Sequence, residues 1–275
     1  MLHRRRLLDS PTVGFMAVRC DGTPAEHPPA HARRWSPEEP VTGPAVVLVR
    51  QGVFRLRSNG VASVADVTTG YVQRPGDIHQ IAHPAGGDIC TSIAVTADLA
   101  DEIADGGPVD VTPAADLAHR RLLAWAKIAT DPTDLCDLTT ELLTVLTPVD
   151  QQRTPPPGTR AAIDDVRVAL AGDLGLSLDD LAAIVGLSPW YLSRTFHRVI
   201  GATLSSYRRR LRVRAALNEL ADTDNQPVSL AALAVAYGFA DQAHLTRAVH
   251  RETALPPGKL RTSLLPSGLL TSDRN

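Results

Sequence analysis

The sequence predicts an α+β protein: an N-terminal antiparallel β-barrel with a helical hairpin, then an all-α region of two helix-turn-helix units joined by a long helix. Three observations carry that reading. Short β-favouring runs punctuated by glycine, proline and asparagine fill residues 13–96. A proline-rich segment, Thr154-Pro155-Pro156-Pro157-Gly158, reads as a linker, because consecutive prolines remove backbone donors and favour extended geometry. Beyond it a helical pattern occurs twice.

The β-favouring runs are Val13–Val18, Ala45–Arg50, Val53–Arg57, Tyr71–Gln73 and Thr91–Val95. Two amphipathic helices are expected next, at about Ala114–Ala129 and Thr133–Leu146. Leu135, Leu138, Leu142 and Leu146 recur at three- and four-residue steps, and Pro132 suits a helix start. Their apolar faces are expected to cover the sheet, and one of them is a candidate for also forming a dimer interface.

After the linker, Ser177-Leu178-Asp179-Asp180 is a cap followed by an apolar face of Leu181, Ala182 and Val185, and Gly186 is a left-handed stop. Ser188-Pro189 starts the next helix, with serine as N-cap and proline at the first helical position. Helix, tight turn and helix in about 22 residues is helix-turn-helix spacing. Leu181-Ala182 and Gly186-Leu187 recur 52 residues later as Leu233-Ala234 and Gly238-Phe239, while Leu192 and Arg194 recur 53 residues later as Leu245 and Arg247. One extra residue therefore sits in the second turn. Residues 204–221 between the units read as one helix, with Leu204, Tyr207, Leu211 and Ala215 at helical spacing.

The chain has 275 residues, room for two domains with their own cores. It is 44% hydrophobic and 21% charged, and no apolar run approaches the ~20 residues that span a bilayer, so an integral membrane protein is not expected. Arg4, Arg5 and Arg6 start like a signal peptide, but Asp9, Ser10 and Pro11 interrupt it, which predicts a cytoplasmic protein. Cys20, Cys90 and Cys136 are scattered, unlike a disulfide framework or a zinc finger. Charge is sorted by region: residues 160–262 hold 13 basic and 10 acidic side chains, and the remainder 15 and 20. A basic segment carrying a repeated helix-turn-helix points to double-stranded DNA.

On the first recognition helix Leu192 and Phe196 are four apart and face the core, so Trp190, Ser193, Arg194 and His197 face outwards. Trp190, Ser193 and Arg194, near the helix start, are the base-reading candidates. Arginine donates bidentately to guanine, and tryptophan offers apolar contact to a thymine methyl. The matched positions on the second helix are Gln242, Ala243, Thr246 and Arg247; Ala243 offers only a methyl, so weaker discrimination is expected there. Arg208, Arg209, Arg210, Arg212 and Arg214 form a run without acids, of which only two or three can face DNA. Expected phosphate contacts are Arg208 and Arg210 with His197, Arg198 and Arg251; the other arginines of the run pack or pair with acids such as Asp173, Asp179 or Asp180.

Residues 178–261 resemble the AraC family of bacterial transcription regulators, through LAAIVGLSPWYLSRTFHRVIG, SSYRRRLRVRAALNEL and AYGFADQAHLTRAVHRETALPPGKLR. The resemblance implies two helix-turn-helix units on a long helix, with bases contacted from the positions just named. The family usually has phenylalanine where this chain has Leu245 and Val249, and glycine where it has Ala254. Smaller side chains predict a less tightly anchored second unit. Residues 1–153 resemble the cupin-type sensor domain of many members: Gly70, Pro75-Gly76 and His79 match part of the second cupin motif, while His27 and His31 do not make the His-x-His of the first.

The division that follows is a cupin-like sensor and candidate dimerisation domain at 1–153, a linker at 154–158, the DNA-binding domain at 159–264 and a flexible tail at 265–275. The sequence predicts that residues 1–153 alone do not bind DNA and that residues 155–275 keep specific binding. A small-molecule effector in the barrel, RNA polymerase and a second copy of the chain are the other expected partners. A cupin enzyme would need a metal cluster, so neither enzymatic activity nor a cofactor is expected. His79, His83 and Cys90, within twelve residues, are the weak alternative for a metal sensor.

Overall fold

The computed structural model describes residues 2–9, 14–20, 35–103, 107–128, 132–149, 155–221 and 229–264. His27, His31 and the expected tail lie outside the described residues. The order of elements is β1 (Leu2–Asp9), β2 (Gly14–Cys20), β3 (Glu39–Pro40), β4 (Ala45–Gln51), β5 (Val53–Ser58), β6 (Val61–Asp66), β7 (Thr69–Gln73), β8 (Ile78–Ala82), β9 (Asp88–Ala94), α1 (Ala97–Ile103) and β10 (Gly107–Asp110). There follow α2 (Pro113–Trp125), α3 (Pro132–Thr144), β11 (Thr147–Pro148), α4 (Pro157–Gly172), α5 (Leu178–Val185), α6 (Pro189–Ile200), α7 (Leu204–Ala221), α8 (Leu230–Ala236), α9 (Gln242–Thr253) and α10 (Pro257–Leu264). The class is α+β, with an antiparallel sheet first and helices after it, as the sequence predicts.

The strands pair antiparallel in the order β1-β2-β9-β4-β7-β6-β5-β8-β3, with β10 beside β7 and β11 beside β10. All five expected strands are present, and β1, β3, β6, β8, β10 and β11 are additional. β6 and β8 were hidden by composition, since VASVAD and IHQIA hold too few large apolar residues to read as strands. His79 lies in β8, opposite Ser58 of β5 and Glu39 of β3. Asn59 and Gly60, at φ 47° and 84°, form the tight turn joining β5 to β6, where two successive left-handed residues match the strand twist. Gly70 permits close approach of β7 to β4, because a Cβ there would lie 2.5 Å from the Val47 carbonyl oxygen.

The described residues divide into two compact units, one within Met1–Asp110 and Thr147–Arg208, the other within Val111–Leu146 and Arg209–Asn275. Each takes residues from both sides of the proline-rich segment.

In the first unit Val46, Leu48 and Ile93 of the sheet are fully buried, as are Ile163, Val166 and Leu170 of α4, a helix that packs on α5, α6, β5 and β6. Each such side chain contributes about 1.5–3 kcal/mol by leaving water. Asp66, at the end of β6, accepts from the Thr68 N–H and hydroxyl (both 2.7 Å), from Arg167 Nε of α4 (2.9 Å) and from the Tyr207 hydroxyl of α7. Arg167 Nη2 also donates to the Thr69 hydroxyl at 2.9 Å, and Arg55 of β5 pairs with Asp165 of α4. Burial opposes ionisation of Asp66, but the Arg167 charge and the hydrogen bonds outweigh it and hold the carboxyl below its ordinary range.

In the second unit Val213, Leu217, Leu233, Phe239, Leu245 and Val249 share one core with Leu260 and Leu264. α2 packs against α3, α9 and α10, where the sequence reading expected it to cover the sheet, and its Leu117 and Ala124 lie against this core. Arg120 of α2 donates to Asp116 (2.9 Å), to the Asn218 side chain (2.8 Å) and to the Arg214 carbonyl (3.1 Å). α2 starts where Thr112 accepts from the Ala115 N–H at 3.2 Å, and it ends at Trp125, short of the expected Ala129.

Candidate nucleic-acid interface

The two helix-turn-helix units share the local signals of their turns, whereas the side-chain cap of α5 has no counterpart at Ser229, where α8 starts. In α5 Ser177 and Asp180 form a reciprocal capping box, and Gly186 stops the helix at φ 66°. The Leu187 N–H then bonds the Ala182 carbonyl at 3.0 Å, and after α8 the Phe239 N–H bonds the Ala234 carbonyl at 2.8 Å. Those are the residues that the repeat pairs. The cap of α6 is Ser188, two residues past Gly186, whereas the cap of α9 is Asp241, three past Gly238, which places the extra residue in the second turn.

On α6 Leu192 and Phe196 are fully buried, and Phe196 meets Tyr207 edge-on at 5.3 Å between ring centres. That contact fixes the rotation of α6 about its axis. Ser193, Arg194, His197 and Arg198 are consequently exposed, and Trp190 is 66% exposed in place of joining the core. The Arg194 guanidinium lies over the Trp190 ring, 4.7 Å from its centre. On α9 Leu245 and Val249 are fully buried, Gln242, Ala243, Arg247 and Arg251 are exposed, and Thr246 is half-buried.

The arginine run of α7 is used largely within the protein. Arg208 donates to the Leu176 carbonyl, and Arg212 to the Gly238 carbonyl at 3.2 Å. Arg210 pairs with Glu252 at 3.0 Å, and the fully buried Arg214 meets the same carboxylate at 3.5 Å while donating to the Val111 carbonyl at 2.7 Å. Glu252 is thus the acid that receives two of these arginines. Burial lowers the Arg214 pKa, opposed by Asp116 and Glu252.

In the sheet Tyr71 lies between Phe54 (6.0 Å between ring centres) and His79 (5.8 Å), and Phe54 also meets His83 at 6.2 Å. His83 Nδ1 is bonded to Asp88. Burial lowers the His79 pKa, opposed by Asp77, and pushes the Tyr71 phenol well up, with Cys90 and Asp88 adding to the rise. Among the described residues no group of three or more histidines, cysteines or acids is placed to hold a metal ion. His79, His83 and Cys90 are therefore not brought together as a ligand set. No helix among the described residues is long and apolar enough to cross a membrane.

Arg167, Arg55 and Arg120 escaped the sequence reading, because Arg167 lies 101 residues from Asp66, and Arg55 110 from Asp165. No local pattern announces such pairs.

A helix-turn-helix domain family matches residues 181–263. The HTH-type transcriptional activator AarP of Providencia stuartii is 32% identical over 103 residues, covering 37% of this chain and 74% of that protein. The probable transcription factor PqrA of Proteus vulgaris is 34% identical over 87 residues, covering 32% and 69%. Among solved structures, a transcriptional regulator with an AraC-type DNA-binding domain from Chromobacterium violaceum is 25% identical, covering 40% of this chain and 98% of that one with a TM-score of 0.36. The chain belongs to the AraC-type family of helix-turn-helix transcriptional regulators, and it binds DNA.

Proposed function

We propose that this regulator reads base edges mainly with α6 and that a small organic effector bound in its sheet domain controls it. Trp190, Ser193 and Arg194 enter the major groove, with Arg194 on a guanine and Trp190 against a thymine methyl. Gln242, Ala243, Thr246 and Arg247 of α9 read a second site with less discrimination. His197, Arg198 and Arg251 hold phosphates. Arg208 and Arg210 share any phosphate with the Leu176 carbonyl and Glu252 that already hold them. The observation that carries this reading is the outward face of α6, fixed by the burial of Leu192 and Phe196. The effector reading is supported by the ring cluster of Phe54, Tyr71 and His79. RNA polymerase and a second copy of the chain are candidate protein partners, the first suggested by the word activator in the name of the Providencia relative.

The test begins by selecting a preferred duplex from a random library with the full-length protein. Arg194→Ala then costs about 1–3 kcal/mol on that duplex and little on a scrambled one. Equal losses on both, with the fold intact, would make Arg194 a phosphate or structural contact.

A further inference from the structure

We infer that Trp190 is a positioning residue for Arg194: its indole ring is a platform that holds the guanidinium ready for a guanine edge. The inference rests on the base-reading role proposed for α6.

The two residues are one helical turn apart on an exposed face, where neighbours at this spacing meet. The guanidinium centre is 4.7 Å from the ring centre, within the range at which a cation is attracted to an aromatic face. A guanidinium stacks through its face and donates through its edge, so the stack and a bidentate bond to guanine O6 and N7 are compatible. Holding a long side chain on a ring before binding removes part of the ordering cost that base recognition otherwise carries.

The repeat contains the contrast. Arg247 stands where Arg194 does, but the residue one turn before it is Ala243, whose methyl has no ring face. The platform is therefore confined to α6, which makes α6 the more selective helix.

The experiment uses the full-length protein and the selected duplex with each base pair changed in turn. Arg194→Ala identifies the base pair that Arg194 reads. Trp190→Ala is expected to lower discrimination at that same pair about two- to five-fold, the size of an exposed cation–π contact. Trp190→Phe, which keeps a ring face, retains most of it, whereas Trp190→Leu, which keeps apolar bulk alone, behaves like Trp190→Ala. In the Arg194→Ala background, Trp190→Ala has no further effect at that pair. The inference is overturned if Trp190→Ala leaves discrimination there unchanged, or if Trp190→Leu serves as well as Trp190→Phe. If Arg194→Ala weakens every duplex alike, the base-reading role falls and the positioning role falls with it, a result distinct from failure of the platform alone.

Discussion

Ala254 holds in α9 the left-handed cap position that Gly201 holds in α6, at φ 58° and 75°, and each donates its N–H to the carbonyl of a histidine four residues back, His250 at 2.8 Å and His197 at 2.9 Å. A side chain in this conformation crowds the following carbonyl, a strain that glycine avoids. Ala254→Gly is expected to stabilise the protein by about 1 kcal/mol, read as a higher urea midpoint at unchanged slope. An unchanged or lower midpoint would show that the strain has been relieved elsewhere.

The buried Asp66 carboxylate makes stability depend on acid. Its folded pKa is lowered, so its contribution is complete above the ordinary carboxylate range and is lost as pH falls through the folded value. Asp66→Asn leaves Arg167 with a diminished partner and is expected to cost about 3 kcal/mol near neutral pH. The gap to the wild type then narrows below about pH 4. Denaturant titrations of both proteins across this range decide it, and a gap independent of pH contradicts the assignment.

Arg214 and Arg198 are both arginines of the DNA-binding region, yet one is fully buried and the other exposed. Arg214→Ala is expected to cost about 3 kcal/mol of stability and to leave the salt dependence of DNA binding by the folded protein unchanged. Arg198→Ala is expected to leave stability within about 0.5 kcal/mol and to flatten log affinity against log salt by about one unit. The reverse pattern would exchange their roles.

The hydrogen bonds of Arg120 tie α2 to α7 within the second unit, and α2 also packs on α9 and α10. A fragment of residues 155–275 lacks this support along with the Val111 carbonyl that Arg214 uses, and it also lacks Asp66 and Thr69, which hold Arg167 of α4. It is expected to bind the selected duplex with lower affinity than the full chain and to lose protection at the base pairs read by α6 and by α9 alike. Footprinting of fragment and full chain on the selected duplex checks this. Equal protection by fragment and full chain would show that α4 to α10 fold fully without the residues before them.

The recognition units were legible because their signals are local. Ser188 and Pro189 start α6, Gly186 ends α5, and the four-residue spacing of Leu192 and Phe196 turns Trp190 and Arg194 outwards whatever surrounds them. A cap bonds the next turn, and a helical face repeats every 3.6 residues, so a window of about twenty residues contains the information. Tertiary structure alone decided which arginines are inside. Arg208 to Arg214 look alike in sequence, and only the tertiary placement of Glu252, the Val111 carbonyl and α2 around α7 buries Arg214 and leaves Arg210 half-buried. The same holds for Asp66 with Arg167 and Tyr207, and for the place of α2 on the second unit. Such partners are brought together by burial of apolar surface, which has no direction along the chain, so no spacing in the sequence records them.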